Sequence, residues 1–222
     1  MIPDSLKLQK SVFLNAQNIR KDKFVDHKSS NIRTASKIAS ILDSDQPFNI
    51  KIRGLIREIH NRYGWKAKDD LNELGLCSGA FFYTENFLKI AHGDRTGKIR
   101  DYNKIKVHIE HTIPVHVIYQ LLISQRSVLK SADDVIKFIF KYSVCTAFSE
   151  EERSTSVKKN FNSCHPDIFP GSSIEIDKIR PFKRYSSDVK IYSVVTQGVI
   201  PPNITLKEIH QIHYNKYIIP TI

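Results

Sequence analysis

Halfway along the stretch KIKVHIEHTIPVHVIYQLL, Lys104 to Leu122, the hydrophobic period changes. Ile105, Val107 and Ile109 alternate with Lys106, His108 and Glu110, the two-residue repeat of a half-buried strand. From Val115 onward the apolar positions fall at Val115, Ile118 and Leu122, which is helical spacing. Pro114 suits the first turn of that helix, where the N–H it lacks would have no intrahelical acceptor. A strand that runs straight into a helix makes this a mixed α and β chain.

The flanking sequence adds mostly helices. The spacing predicts one over Ser5 to about Arg20. A second follows the Ser29-Ser30-Asn31 capping cluster, with Ile32, Ala35, Ile38 and Leu42 on one face. A third spans Asn49 to Tyr63, its stripe Ile52, Leu55, Ile59 and Tyr63, with Lys51, Arg53, Arg57, His60 and Arg62 largely on the remaining surface. A fourth is expected near Tyr83 to Ala91, although LCSGAFFY also reads as extended. Between Ala91 and Val107 the sequence reads as a polar loop outside the core. Ser131 followed by Asp133 and Asp134 caps a helix with Val135, Phe138 and Ile139 inward. Tyr142 to Phe148 reads as a second strand, and Ser149 with three glutamates opens another helix. Beyond Lys159 the chain is irregular, apart from a strand-like run at Val189 to Val195 and a helix near Leu206 to Tyr217.

Charge narrows the partners. The 222 residues carry 34 Lys and Arg against 23 Asp and Glu, a net +11. Residues 1 to 109 hold 20 basic and 12 acidic side chains, whereas 110 to 222 hold 14 and 11. An excess of this kind in one half points to a polyanion such as nucleic acid, because each phosphate neutralised releases counterions. The basic helix surface of Lys51, Arg53 and Arg57 and the loop residues Arg95, Lys98 and Arg100 are the candidate contacts. No apolar run approaches the roughly 18 residues that span a bilayer, and Met1 to Phe13 lacks a signal pattern, so a cytoplasmic protein without membrane contact is expected. Cys77, Cys145 and Cys164 stand far apart, which supports neither a disulfide framework nor a Cys-type zinc site.

Glu110-His111 joins two groups that phosphodiester hydrolysis uses: a carboxylate can hold a divalent cation, and a neutral imidazole can take the proton of the attacking water. The segment Glu110-His111-Thr-Ile-Pro114-Val resembles the [DE]H-x-x-P segment of the HNH endonuclease superfamily. It is most similar to a bacterial branch reading EH-x-x-P-hydrophobic, with a helical insert, a strand, a T-x-E-E helix start, a Met-Pro turn and an aromatic-x-Arg-Tyr segment. Here Ser149-Glu150-Glu151-Glu152, His165-Pro166-Asp167 and Phe182-Lys183-Arg184-Tyr185 follow in that order. The resemblance spans about residues 104 to 185. It implies an α+β, mainly helical fold with a small two-stranded ββα-metal core. It also implies that Glu110 and Glu152 or Glu151 are ligands of a divalent metal, Mg2+ or else Mn2+, and that His111 is the general base. Arg184 would meet the scissile phosphate, with Tyr185 beside it on the nucleic acid.

The function expected is a restriction-type or phage-encoded endonuclease acting on double-stranded DNA as a homodimer, since a protein two-fold matches that of a symmetric site. The expected organisation is a basic DNA-binding region over 1–103, a catalytic region over 104–185 and an extension over 186–222. Two other readings stand beside it. Pro166-Asp167 with Asp188-Val189-Lys190 satisfies the looser PD-(D/E)xK nuclease pattern, and a non-enzymatic DNA-binding protein would use the Asn49 to Tyr63 helix in a groove. His111 with His116, and His210 with His213, lack further ligands for zinc and read as core or surface histidines.

Overall fold

A computed structural model describes residues 28–44, 50–60, 80, 82–96, 102–157, 168, 175–193 and 195–218. The helix expected at Ser5 to Arg20, and Cys77, Lys98, Arg100, Cys164 and Asp167, lie outside these residues. Helix α1 covers 28–43 and α2 covers Ile50–His60. Strand β1 (Phe82–Thr84) leads into α3 (Glu85–Lys89), a 3-10 turn at His92–Asp94 and β2 (Arg95–Thr96). Then come β3 (Ile105–His111), α4 (Val115–Ser124), α5 (Ala132–Lys141), β4 (Cys145–Ser149) and α6 (Glu150–Ser156). A 3-10 turn at Pro181–Arg184 precedes β5 (Ile191–Ser193), β6 (Gly198–Ile200) and α7 (Leu206–Ile209), which continues as a π-helix over His210–Ile218.

The strands form one six-stranded mixed sheet in the order β2-β3-β4-β1-β5-β6. The core is therefore larger than the two strands expected. Strands β1 and β2, from the amino-terminal region, and β5 and β6, from the carboxy-terminal extension, are bonded into the same sheet as β3 and β4. Boundaries at residues 103 and 185 would cut through it.

β1 and β4 lie side by side and parallel at the centre, and every residue of both is buried. Each passes without a loop into a helix, because the last strand residue doubles as the cap. Thr84 Oγ1 accepts from the Phe87 N–H of α3, and Ser149 Oγ accepts from the Glu152 N–H of α6. The helix expected near Tyr83 to Ala91 thus begins only at Glu85, since buried Phe82, Tyr83 and Thr84 pair with β4 and β5 before α3 begins. The polar reading of 91–107 also changes: Arg95 and Thr96 form a buried edge strand parallel to β3.

α2 buries Ile52, Ile56 and Ile59 against α4 and α5. Ile56 replaces Leu55 in the expected stripe, while Lys51, Arg53 and Arg57 stay exposed. α5 is fixed by a capping box in which Ser131 and Asp134 each bond the other's backbone N–H. No described helix is long and apolar enough to cross a membrane.

Candidate active site

β3 and β4 pair antiparallel, with Glu110 opposite Thr146 and His111 opposite Cys145. Alternation then sorts the side chains. His108, Glu110, Thr146 and Phe148 share one face, roofed by α6 and by the segment carrying Arg184 and Tyr185. The contacts bear this out: Arg153 of α6 donates through Nε to Glu110 Oε2 at 2.8 Å, and Tyr185 packs edge-on against Phe148 at 5.0 Å.

Glu110 sits at the centre of an ion-pair cluster. Arg184 Nη2 lies 3.2 Å from its Oε1, and Arg153 holds its Oε2. Arg153 also reaches Glu150 at 3.3 Å. His108 stands between the two carboxylates, 3.6 Å from Glu110 and 3.9 Å from Glu150. Two guanidiniums thus balance two carboxylates. The Arg184 side chain is 4% exposed and that of Glu110 13%.

Arg184 does more than neutralise Glu110. Its Nη1 donates to the His111 carbonyl and, at 3.3 Å, to that of Thr112, so it clamps the end of β3. Its Nε is buried with no hydrogen-bond partner. Beneath the clamp, the Tyr185 hydroxyl donates to Thr112 Oγ1 at 3.2 Å, and Thr112 and Thr146 share a bond at 2.8 Å. Burial drives the Tyr185 phenol well above its usual range, with Glu110 adding to the rise and Arg184 opposing it. The expectation that Arg184 and Tyr185 touch nucleic acid is therefore corrected: both are buried with their polar groups directed inward.

The sequence neighbours Glu110 and His111 part company in space. The strand runs through His111, so its imidazole projects to the face opposite Glu110. The three glutamates of α6 diverge as well, at about 100° per residue. Glu150 faces His108, Glu151 is exposed, and Glu152 accepts a hydrogen bond from the Thr84 hydroxyl. Glu110 and Glu152 thus serve different partners.

Glu152 borders a cleft of about 480 Å³, lined also by Glu85, Asn86, Glu151, Asp188 and Lys190. It lies where the adjacent parallel strands β1 and β4 end and β5 begins, the kind of edge where open mixed sheets hold ligands. Desolvation raises the Glu152 carboxyl above the ordinary range, and Glu85 and Asp188 reinforce this against the Thr84 hydrogen bond. Lys190 lies 3.6 Å from Glu85. Among the described residues, no group of three or more His, Cys, Asp or Glu side chains is placed to hold a metal ion.

The basic residues divide sharply. Lys51, Arg53 and Arg57 are exposed on α2. Arg95 is buried and lies over the Phe87 ring at 4.2 Å, donating to the Phe87 and Ile90 carbonyls at the end of α3. The Phe87 carbonyl also accepts from the Ile90 cap N–H at 3.3 Å, and the guanidinium adds donors at this helix end, which draws it inward and away from any nucleic-acid surface. His210, buried against Tyr214, shares a bond at 2.8 Å with the Lys141 carbonyl through its Nε2, and burial lowers its pKa to about 4. Cys145 is buried.

Sequence reasoning missed Arg153, whose partner Glu110 is 43 residues away. It also missed the Thr112–Thr146 contact, which only strand register creates. His108 was within reach of a sequence argument, because it precedes Glu110 by two and so shares its strand face. Comparison of the chain with protein-family models, with curated proteins and with solved structures finds no match.

Proposed function

We propose that this chain is an endonuclease that hydrolyses DNA phosphodiester bonds, of the HNH kind its sequence resembles. One observation carries the reading. Segments 73 residues apart in sequence, Glu110-His111-Thr112 and Arg184-Tyr185, meet at one strand end through the Glu110–Arg184 pair and the Tyr185–Thr112 hydrogen bond. They meet on an antiparallel strand pair followed by a helix packed across it. The net charge of +11 suits a polyanionic substrate, and a homodimer would suit a symmetric duplex site.

The resemblance also implies a divalent metal, Mg2+ or Mn2+, on Glu110. The residues do not fit one as they stand: both Glu110 oxygens are engaged by guanidiniums, and the surrounding charges already balance. In this reading the chain's own contribution is His111, which takes the proton of the attacking water. Arg184 is a positioning residue that fixes the backbone from which the imidazole projects.

A second reading rests on the cleft. Asp188 and Lys190 of the PD-(D/E)xK pattern border the same cavity as Glu152 and Glu85, which gathers hard oxygen donors and an ammonium at one sheet edge. Plasmid cleavage in magnesium or manganese, with and without chelator, separates the possibilities. The HNH reading expects His111→Ala to lose about 10²- to 10⁴-fold in rate while DNA binding persists. It expects the Asp188→Ala/Lys190→Ala double variant to retain its rate. The reverse pattern transfers catalysis to the cleft. Binding with no cleavage by the wild type in either metal makes the protein a non-enzymatic DNA binder, and cleavage that survives chelation removes the cation from the scheme.

A further inference from the structure

α2 and α4 pack side by side, and the seam between them gathers groups that neither helix explains alone. From α2, Arg53 and Arg57 point to solvent one turn apart, and neither pairs with a carboxylate among the described residues. From α4, Tyr119 supports the Arg53 guanidinium, whose carbon lies 5.1 Å from the ring centre. His116 stacks on Tyr119 at 6.4 Å. Its Nδ1 is buried without a hydrogen-bond partner.

We propose that this seam is a docking surface for nucleic-acid backbone phosphates, in which His116 and Tyr119 of α4 complete what Arg53 and Arg57 of α2 begin. The proposal rests on the nucleic-acid reading above and deepens it by locating the contact. A guanidinium held against an aromatic face keeps its edge N–H groups free to fork onto phosphate oxygens. Gly54, next to Arg53, has open space where a Cβ would stand, so no neighbouring group of the protein crowds this stretch of α2. Arg53 is also the charged group that acts on the His116 ring from α2.

A docked phosphate would offset that repulsion and favour the imidazolium. Burial and Arg53 lower the His116 pKa in the free protein, and a bound anion raises it again. A group whose pKa is higher in the complex tightens binding at low pH and loses the effect as pH rises through the bound-state value.

The test is fluorescence anisotropy of the full chain on a labelled DNA duplex, with chelator present so that no cleavage intervenes. Salt titration should show Arg53→Gln/Arg57→Gln binding more weakly on every sequence, its log-log salt slope smaller in magnitude by about 2 than the wild type's. Lys178→Gln/Lys207→Gln removes the same charge elsewhere and should keep the wild-type slope. Wild-type affinity should rise as pH falls from 8 to 5, and His116→Gln should flatten that rise. Equal losses in the two double variants, or the same pH profile in the His116 variant, would overturn the seam while leaving a nuclease in place. A wild type that binds no DNA would overturn the seam and the nucleic-acid reading together.

Discussion

Replacing Arg184 by Met keeps most of the side-chain stem and removes the guanidinium. The loss is not that of a surface salt bridge, because both partners are largely shielded from water. Breaking one side of a buried pair costs about 3–5 kcal/mol, since the remaining charge is left without its counterion. Glu110 is not wholly abandoned: Arg153 still donates to its Oε2 at 2.8 Å. That places the expected cost near the lower end, about 3 kcal/mol, including the His111 and Thr112 carbonyls left without their donor. For a chain of this size each kcal/mol moves Tm by about 2–4 °C, so a fall of about 6–12 °C is expected. Urea denaturation followed by circular dichroism measures the free energy, and Glu110→Gln completes a double-mutant cycle. The two changes should interact by about 0.5–3 kcal/mol, since the residues share one network. A cost below about 1 kcal/mol with additive singles would refute the clamp and return Arg184 to the substrate-contacting role read from the sequence.

Two further outcomes follow from single side chains. Glu152 has a folded-state pKa raised by desolvation, with Glu85 and Asp188 contributing, so folding favours its protonated form. Its ionisation therefore opposes stability as pH rises through the folded pKa, and the penalty is absent below the unfolded value. Glu152→Gln should accordingly unfold at higher urea than the wild type at pH 7, with the gain vanishing toward pH 4, and equal midpoints at pH 7 would remove the strain. Gly54 is exposed in the middle of α2 with open space where a Cβ would stand, so Gly54→Ala should stabilise the protein by about 0.5–1 kcal/mol in thermal or urea unfolding. A destabilised variant would mean that this position needs glycine for the fold itself.

Elements whose signals are local were legible in the chain. The period change separates β3 from α4, although Pro114 stands as the N-cap of α4 rather than in its first turn, and Ser131 and Ser149 cap α5 and α6 as expected. Period and capping depend on neighbours a few residues apart, which the chain spells out. Pairing was different. That β1 inserts between β4 and β5, that Arg95 is drawn onto the α3 carbonyls, and that Arg184 folds back onto Glu110 depend on contacts dozens of residues apart. Burial also reversed the roles suggested for several charges. An arginine in a polar stretch reads as a free cation, yet helix-end carbonyls and a carboxylate in the interior compete for it more strongly than water does once the surrounding apolar surface closes. Glu110 and His111 make the same point at the smallest scale. Their adjacency is written in the sequence, but the strand's two-residue period sends them to opposite faces, and only the continuation of β3 through His111, held by its register against Cys145, decided that.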